Sequence, residues 1–466
     1  MLNDKNEFCP HSINSMKVFA WLFLFAFGVA APAVAQVQPR PALPSADSVS
    51  RPQAPVLTLK EALQTALKNS LNIQVSRTNV DVQDQYNSAG FAGALPTVGI
   101  LASNNVLINN TQQEFNTGVT VARTGARATQ YNVGLAGSYT LYNGGRVAAT
   151  RARLGELAQI SQLQLNSTVQ NVLADVSLKY YAVVQQERYI RTLSASVEVS
   201  KQKLNLIKTR QRVGLANNAD LFQAQLDLNA QLQTQQQQAL AAQQATADLL
   251  RALTLNLDTR VAVEDTIPVD RDLRWADIDA SLTKNPDLLA ADRQVRVNEL
   301  LERAACASLY PSLGVNAGTN FARNQNAVGT TLFNQSYGPY AGLSLGVPIY
   351  SGGVNRRLVK IAQLNTQTAE LRRTALEKDY RLNALKAWES YQQTLALVNT
   401  AQESYSTARK LLRLVQLRLD AGLSTLVDVK LAQQSFEDAG YRLINYRYSA
   451  KSAEITLRQL AALLTP

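Results

Sequence analysis

The chain is poor in the residues that most catalytic and metal chemistry requires. Among 466 residues it carries one His, two Cys and two Met. His11, Cys9, Met1 and Met16 all fall within the first 35 positions, and those positions read as a secretory leader. Lys17 precedes an apolar run from Val18 to Ala30, and Ala33-Val34-Ala35 supplies a small-residue cleavage site. Met16 is a second candidate start, because the stretch before it is polar for a leader. Cleavage after Ala35 leaves Cys306 and no His. No Ser/His/Asp or Cys/His nucleophile system can then be assembled. Nor can a Cys/His zinc site, or an intrachain disulfide in the oxidising compartment that export implies. Paired carboxylates remain possible, but no pair stands out. The expectation is a protein that is not an enzyme, with no catalytic residues, no cofactor and no metal.

Long apolar runs are also missing. The leader run is short of the roughly 20 apolar residues that a membrane-spanning helix needs, and no other stretch approaches that length. Acidic residues are outnumbered, 35 against 46 Lys and Arg, for a net charge of +11. The excess is spread along the chain, with no basic cluster interleaved with aromatics, so nucleic acid is not an expected partner.

Proline is absent from two long stretches and glycine nearly so, and both are concentrated between them. Residues 36–56 form a Pro-, Ser- and Ala-rich linker. No Pro and a single Gly, Gly155, occur from Arg146 to Arg212, and neither residue occurs from Asn355 to Ala421. Helices of that length reach about 100 Å. Each ends near a glycine, in "RVGLANNAD" at Gly214 and "LDAGLSTLVD" at Gly422, and each is followed by a second helical segment, Asp220–Asp258 and Thr425–Leu464. A long helix, a glycine turn and another helix predict an antiparallel hairpin. Within the second, apolar residues at Leu376, Tyr380, Ala384, Ala387, Tyr391, Leu395 and Val398 step closer to an eleven- than a seven-residue repeat, which suits helices straighter than a left-handed coiled coil.

What stands between these stretches is written twice. "LYNGGR" at Leu141–Arg146 returns as "IYSGGV" at Ile349–Val354. Helical segments Leu59–Gly93 and Trp275–Leu309 run into "ALP" at Pro96 and "LYP" at Pro311, where proline stops a helix. Strict alternation follows. Leu313, Val315, Ala317, Thr319 and Phe321 face one way, and Ser312, Gly314, Asn316, Gly318 and Asn320 the other. The segment Tyr131–Leu141 alternates in the same manner. Leu343, Leu345, Val347 and Ile349 continue the second half, and Val98 and Ile100 mark a weaker strand after Pro96. A period of two with one apolar face predicts strands between two different media. The stretches 109–129 and 322–338 read as polar loops. The expected organisation is therefore a leader over 1–35, a linker over 36–56, an opening helix over 57–94, a strand pair with an external loop over 95–142, a long hairpin over 143–260, a connector over 261–274, and the second copy as 275–309, 310–350 and 351–466.

The repeated phrase closes the second strand of each pair and opens the long helix. Tyr142 and Tyr350 would sit at a membrane interface, and Gly144-Gly145 and Gly352-Gly353 permit the dihedrals of a strand-to-helix switch. With Pro96 and Pro311 they form the expected junction. Four strands cannot close a barrel, and lipid tolerates no open edge. The chain is therefore expected to oligomerise through its strands. A dimer would give eight strands and a filled interior; the small and polar residues on one face favour a wider lumen and a trimer.

Taken together, the paired halves, "ALP" and "LYP" entering strands, "LYNGGR" and "PIYSGGVNRR" leaving them, and "VGLANNADLFQAQ" and "AGLSTLVDVKLAQQ" at the helix turns resemble the TolC family of outer-membrane efflux and secretion channels, over about Leu57 to Leu464. The resemblance implies a mixed α and β membrane protein: a homotrimer whose twelve strands complete one outer-membrane β-barrel, continued by a periplasmic α-helical tunnel. It implies a passive exit duct for protein cargo in type I secretion, or for small molecules. The implied partners are a periplasmic adaptor (membrane fusion) protein, an inner-membrane ABC or proton-driven transporter, and outer-membrane lipid. The turns bearing Gly214, Leu215, Asp220, Gly422, Leu423, Ser424 and Asp428 are implied to form the periplasmic entrance and adaptor-docking end. Three departures matter. Gln36, at the proposed mature start, has no lipid-anchoring Cys near it, which favours the unlipidated secretion-type branch. Asp428 matches the first of two entrance Asp residues, but Leu431 occupies the second place. Ser424 stands where some relatives carry Arg. The rival reading is an exported coiled-coil stalk or adhesin without a pore, which explains the helices but not the duplicated strands.

Overall fold

The structure, a computed structural model, describes residues 56–465 apart from Asp265 and Thr330. The expected leader and the linker up to residue 55 lie outside the described residues. Within them, two strand pairs merge into one antiparallel sheet, and two long helical hairpins continue from it.

The sheet contains β2 (Thr97–Glu114) and β3 (Thr120–Asn143) from the first half and β5 (Ser312–Asn326) and β6 (Phe333–Gly346) from the second, in the order β2-β3-β5-β6. The two outer strands leave their far edges unpaired. Register places side chains in clean layers. Ala102, Val133, Phe321 and Tyr337 lie abreast on one face, and Ser103, Asn132, Ala322 and Ser336 on the other. The apolar face is bare: Ile100 is 75% and Leu343 74% exposed. The strands overrun the expected boundaries. The segments read as polar loops, 109–129 and 322–338, are mostly paired backbone, up to Glu114↔Thr120 and Gln325↔Phe333. Beyond the apolar band both faces are polar, so the alternation fades while the ladder hydrogen bonds continue. At the other end β6 stops at Gly346, short of the expected Val347 and Ile349. Pro348 has no N–H for a ladder.

The long helices are α3 (Arg146–Arg212) and α7 (Val354–Asp420), each 67 residues. Their return helices are α4 (Asn218–Ala252) and α8 (Leu426–Leu460), each 35 residues. Corresponding ends are offset by 208 positions throughout. The eleven-residue stripe of α7 faces inward: Ala384, Tyr391 and Val398 are buried and the other members half-buried.

Each opening helix is divided. The first consists of α1 (Leu59–Asn69) and α2 (Leu71–Tyr86), parted where Ser70 adopts ψ 121°. The second consists of α5 (Trp275–Leu282) and α6 (Pro286–Cys306), followed by a single 3-10 turn, Ala307–Leu309. Pro286 is tolerated only in a first turn, and Asn285 caps the new helix by accepting from the Asp287 N–H at 2.8 Å.

The core lies where these short helices cross α3. Ala62, Leu63, Ala66 and Ile73 pack on Leu173, Val176, Val183, Leu249 and Leu253. A two-residue parallel ladder, β1 (Val56–Leu57) against β4 (Ala262–Val263), ties the start of the chain to the connector. Buried Tyr180 clasps both strands, its hydroxyl donating to Leu57 O at 2.9 Å and accepting from the Glu264 N–H at 3.1 Å.

Candidate functional site

Two places concentrate the sequence signals. The first is the switch from sheet to helix. Pro96 and Pro311 immediately precede β2 and β5. At the far ends of the strand pairs, Gly144, Gly145, Gly352 and Gly353 all have positive φ, between 63° and 85°, a conformation cheap only for glycine. The polar residue of each phrase caps the helix that follows. Asn143 Oδ1 accepts from the Val147 N–H (3.2 Å), and Ser351 Oγ from the Asn355 N–H (3.4 Å). Gly144 carries a second constraint: a Cβ there would lie 2.6 Å from Ala307 O and 2.9 Å from Tyr310 Cβ. The first glycine pair thus packs on the corner that leads through Pro311 into β5. The Asn355 side-chain amide reaches the same corner, donating to Ser308 O at 3.0 Å. Tyr142 is the penultimate residue of β3, whereas Tyr350 lies outside β6 and is 88% exposed.

The second place is the pair of helix turns. Gly214 (φ 78°) and Gly422 (φ 76°) close them. The Leu215 N–H donates to Arg210 O (2.8 Å) and the Leu423 N–H to Arg418 O (2.7 Å), the backbone closure of a left-handed helix C-terminus. Each return helix then opens with a capping box, Asn217 with Asp220 and Thr425 with Asp428. Asp428 Oδ2 accepts from the Thr425 N–H (2.8 Å), the Thr425 hydroxyl (2.8 Å) and the Ser424 hydroxyl (3.4 Å). These hydrogen bonds, led by that from the Thr425 backbone, hold its carboxyl below the ordinary carboxylate range. Around the turns, Val213, Leu215, Phe222 and Leu226 on one hairpin and Leu423, Val427 and Leu431 on the other are exposed.

One constellation was not anticipated. Above the turns, Lys203 of α3 and Lys430 of α8 both donate to Asp227 of α4, at 2.6 and 3.0 Å. Lys203 is 3% and Asp227 14% exposed. Burial alone would raise the Asp227 pKa, but donation from Lys203, Lys430 and Gln223 outweighs it and the net shift is downward. Next to this triad, buried Gln433 donates to Ser196 O (3.3 Å) and Ser200 Oγ (3.2 Å), and an Arg210 guanidinium N–H donates to Leu419 O. These contacts tie the second hairpin to the first near the turns. The legible signal was a lysine inside the α3 seam of Val197, Ser200, Leu204 and Ile207. Among the described residues no group of three or more His, Cys, Asp or Glu could hold a metal ion, and no helix is long and apolar enough to cross a membrane.

An open sheet with one apolar face, continued by paired helical hairpins in two matching halves, defines the class of outer-membrane channel-tunnels. The chain belongs to the outer membrane efflux protein family, which it matches over residues 62–254 and 278–463. It is 24% identical over 430 residues, 86% of this chain and 81% of the relative, to the toluene efflux pump outer membrane protein TtgC of Pseudomonas putida. It is 25% identical over 342 residues, 70% of this chain and 69% of the relative, to the pyoverdine export outer membrane protein OpmQ of Pseudomonas aeruginosa. Its fold is similar to the crystal structure of the outer membrane protein VceC of Vibrio cholerae, with a TM-score of 0.70, 15% identity, and coverage of 87% of this chain and 96% of that one. The protein is an efflux channel of the outer membrane with a periplasmic extension.

Proposed function

We propose that three copies assemble through the free edges of β2 and β6 into a twelve-stranded barrel, and that their hairpins form one periplasmic tunnel. The observation that carries this reading is the sheet itself. It has four strands, two unpaired edges and one exposed apolar face, and it cannot rest in lipid until both edges find partners. A stalk without a pore has no use for such a sheet. The assembly is a passive duct with no enzymatic activity. An adaptor docks at the apolar residues around Leu215 and Leu423, and an inner-membrane transporter supplies the energy. The names of the relatives, which export toluene and pyoverdine, support small molecules as cargo over a secreted protein. The glycine pairs and Pro311 mark the barrel-to-tunnel junction.

At the tunnel's lower end, threefold symmetry gathers three Asp428 carboxylates, each fixed on its capping turn, into an entrance ring that favours cations. Single-channel recording in planar bilayers tests this reading. Asp428→Asn is expected to weaken cation selectivity and block by multivalent cations at unchanged oligomer yield. Unchanged selectivity would leave Asp428 as a helix cap alone.

A further inference from the structure

The four strands contain one carboxylate, Glu114, and three arginines, Arg123, Arg127 and Arg323. Two of the arginines share a face. Register puts Arg323 opposite Tyr131 and one step beyond Phe321 on the apolar face. Arg127 lies four residues beyond Tyr131 on the same side, before the bulge at Gly125 changes the pairing. Arg323 sits within an aromatic band, level with Tyr131, one layer past Phe321 and Tyr337 and one layer before Phe333, and Arg127 lies just beyond that band, at the end of the sheet remote from the helices. Glu114 is at the far tip, paired with Thr120, so no acidic side chain shares this rim.

The two guanidinium groups are unneutralised. Neither Arg127 nor Arg323 makes an ion pair among the described residues. Arg323 lies over the Phe333 ring at 5.3 Å, and its Nε is covered and has no hydrogen-bond partner. An arginine spread on an aromatic ring keeps its planar fork for a further acceptor, and phosphate oxygens match that fork in two-point contact. An aromatic band marks where a barrel leaves the hydrocarbon, and cations within and just past it stand at the level of the lipid headgroups.

We propose that Arg127 and Arg323 form a site on the outer wall of the barrel for the phosphate groups of the phosphorylated glycolipid of the outer leaflet. The site rests on the outer-membrane reading above. Charge complementarity names the occupant: two cations at the margin of the apolar face, among neutral polar residues such as Thr129, Gln325 and Gln335 and free of carboxylates, at the end opposite the periplasmic helices.

The test titrates the intact oligomer in detergent with purified lipopolysaccharide and reads bound lipid by native mass spectrometry. The variant carrying Arg127→Gln and Arg323→Gln is expected to bind at least about tenfold more weakly than wild type. Dephosphorylated lipopolysaccharide should bind wild type as weakly. Arg323→Lys, which keeps the charge but loses the planar fork, should bind more weakly than wild type and more tightly than Arg323→Gln, and Arg127→Gln alone, at an exposed position, gives the same direction without touching the Phe333 contact. Wild-type affinity in the double variant, or equal binding of the dephosphorylated lipid, overturns the site. Equal binding of phosphatidylglycerol in place of the glycolipid overturns the assignment of the occupant. Conductance of the same preparations separates the two claims. A double variant that conducts normally and binds normally refutes the lipid site alone, whereas a wild type that neither oligomerises nor conducts refutes the channel reading beneath it.

Discussion

Replacing Asp227 by Asn should loosen the lower end of the helical bundle more than any exposed charge change. The substitution keeps the shape and removes the one carboxylate that Lys203 and Lys430 share. Lys203 is nearly enclosed, so its ammonium is left without a counter-charge in a site that water barely reaches. Breaking a buried ion pair on one side costs roughly 3–5 kcal/mol. At about 1.36 kcal/mol per tenfold, local opening of α3, α4 and α8 near the turns should increase by roughly two to nearly four orders of magnitude. Hydrogen exchange of the oligomer reads this directly, with protection around Val199–Ile207 and Val429–Gln433 falling while the sheet stays unchanged. Lys430→Met removes a half-exposed partner and should cost at most about 1 kcal/mol. Joint replacement of Lys203 by Met and Asp227 by Leu should restore most of the protection, since a buried pair exchanged for apolar residues is often neutral. Wild-type protection in Asp227→Asn, or no recovery in the double variant, would refute the buried, uncompensated Lys203 charge as the source of the loosening.

Other outcomes follow from the same geometry. Because the Asp227 pKa is lowered on folding, its contribution is complete above the unfolded carboxylate value of about 4 and is lost as pH falls through the depressed folded value; hydrogen exchange at the turns should show loosening there and none between pH 6 and 8. Gly144→Val meets both the positive φ and the Ala307 carbonyl, whereas Gly352→Val meets only the φ, a strain of about 1–3 kcal/mol. Oligomer yield in the outer membrane should therefore fall further for the first, and equal yields would remove the corner contact from the account. Photo-cross-linkers at Leu215 and Leu423 should capture the periplasmic adaptor in cells, while labelling of these positions by reagents confined to the cell exterior would invert the orientation.

The duplicated grammar of the chain was readable because it depends on local chemistry. The 67-residue helices begin and end at the glycines that the sequence displays, since nothing else interrupts their ladders. The alternation of β5 and the middle of β3 identified both faces of the sheet. Outside the apolar band the pattern had nothing to report, and backbone pairing extended β2, β3, β5 and β6 into stretches that read as loops. Both opening helices read as single segments: nothing in the sequence at Ser70 marks a break, and the helix expected over Trp275–Leu309 passes over Pro286, which is tolerated only in a first turn. Asp428 was visible as an acid near a turn, and the hydrogen bonds that fix it as a capping residue required coordinates. The Lys203–Asp227–Lys430 triad joins three helices, and no spacing along one strand of sequence encodes such a meeting.

In the assembly proposed above, the open edges of the sheet close against further copies to make a conducting barrel. Native mass spectrometry of the detergent-purified protein, followed by planar-bilayer recording of the same sample, tests it most directly. Particles of three chains that open discrete, long-lived conductance steps are expected; a monomer or dimer, or a trimer that inserts without conducting, would show that the edges do not close in this way.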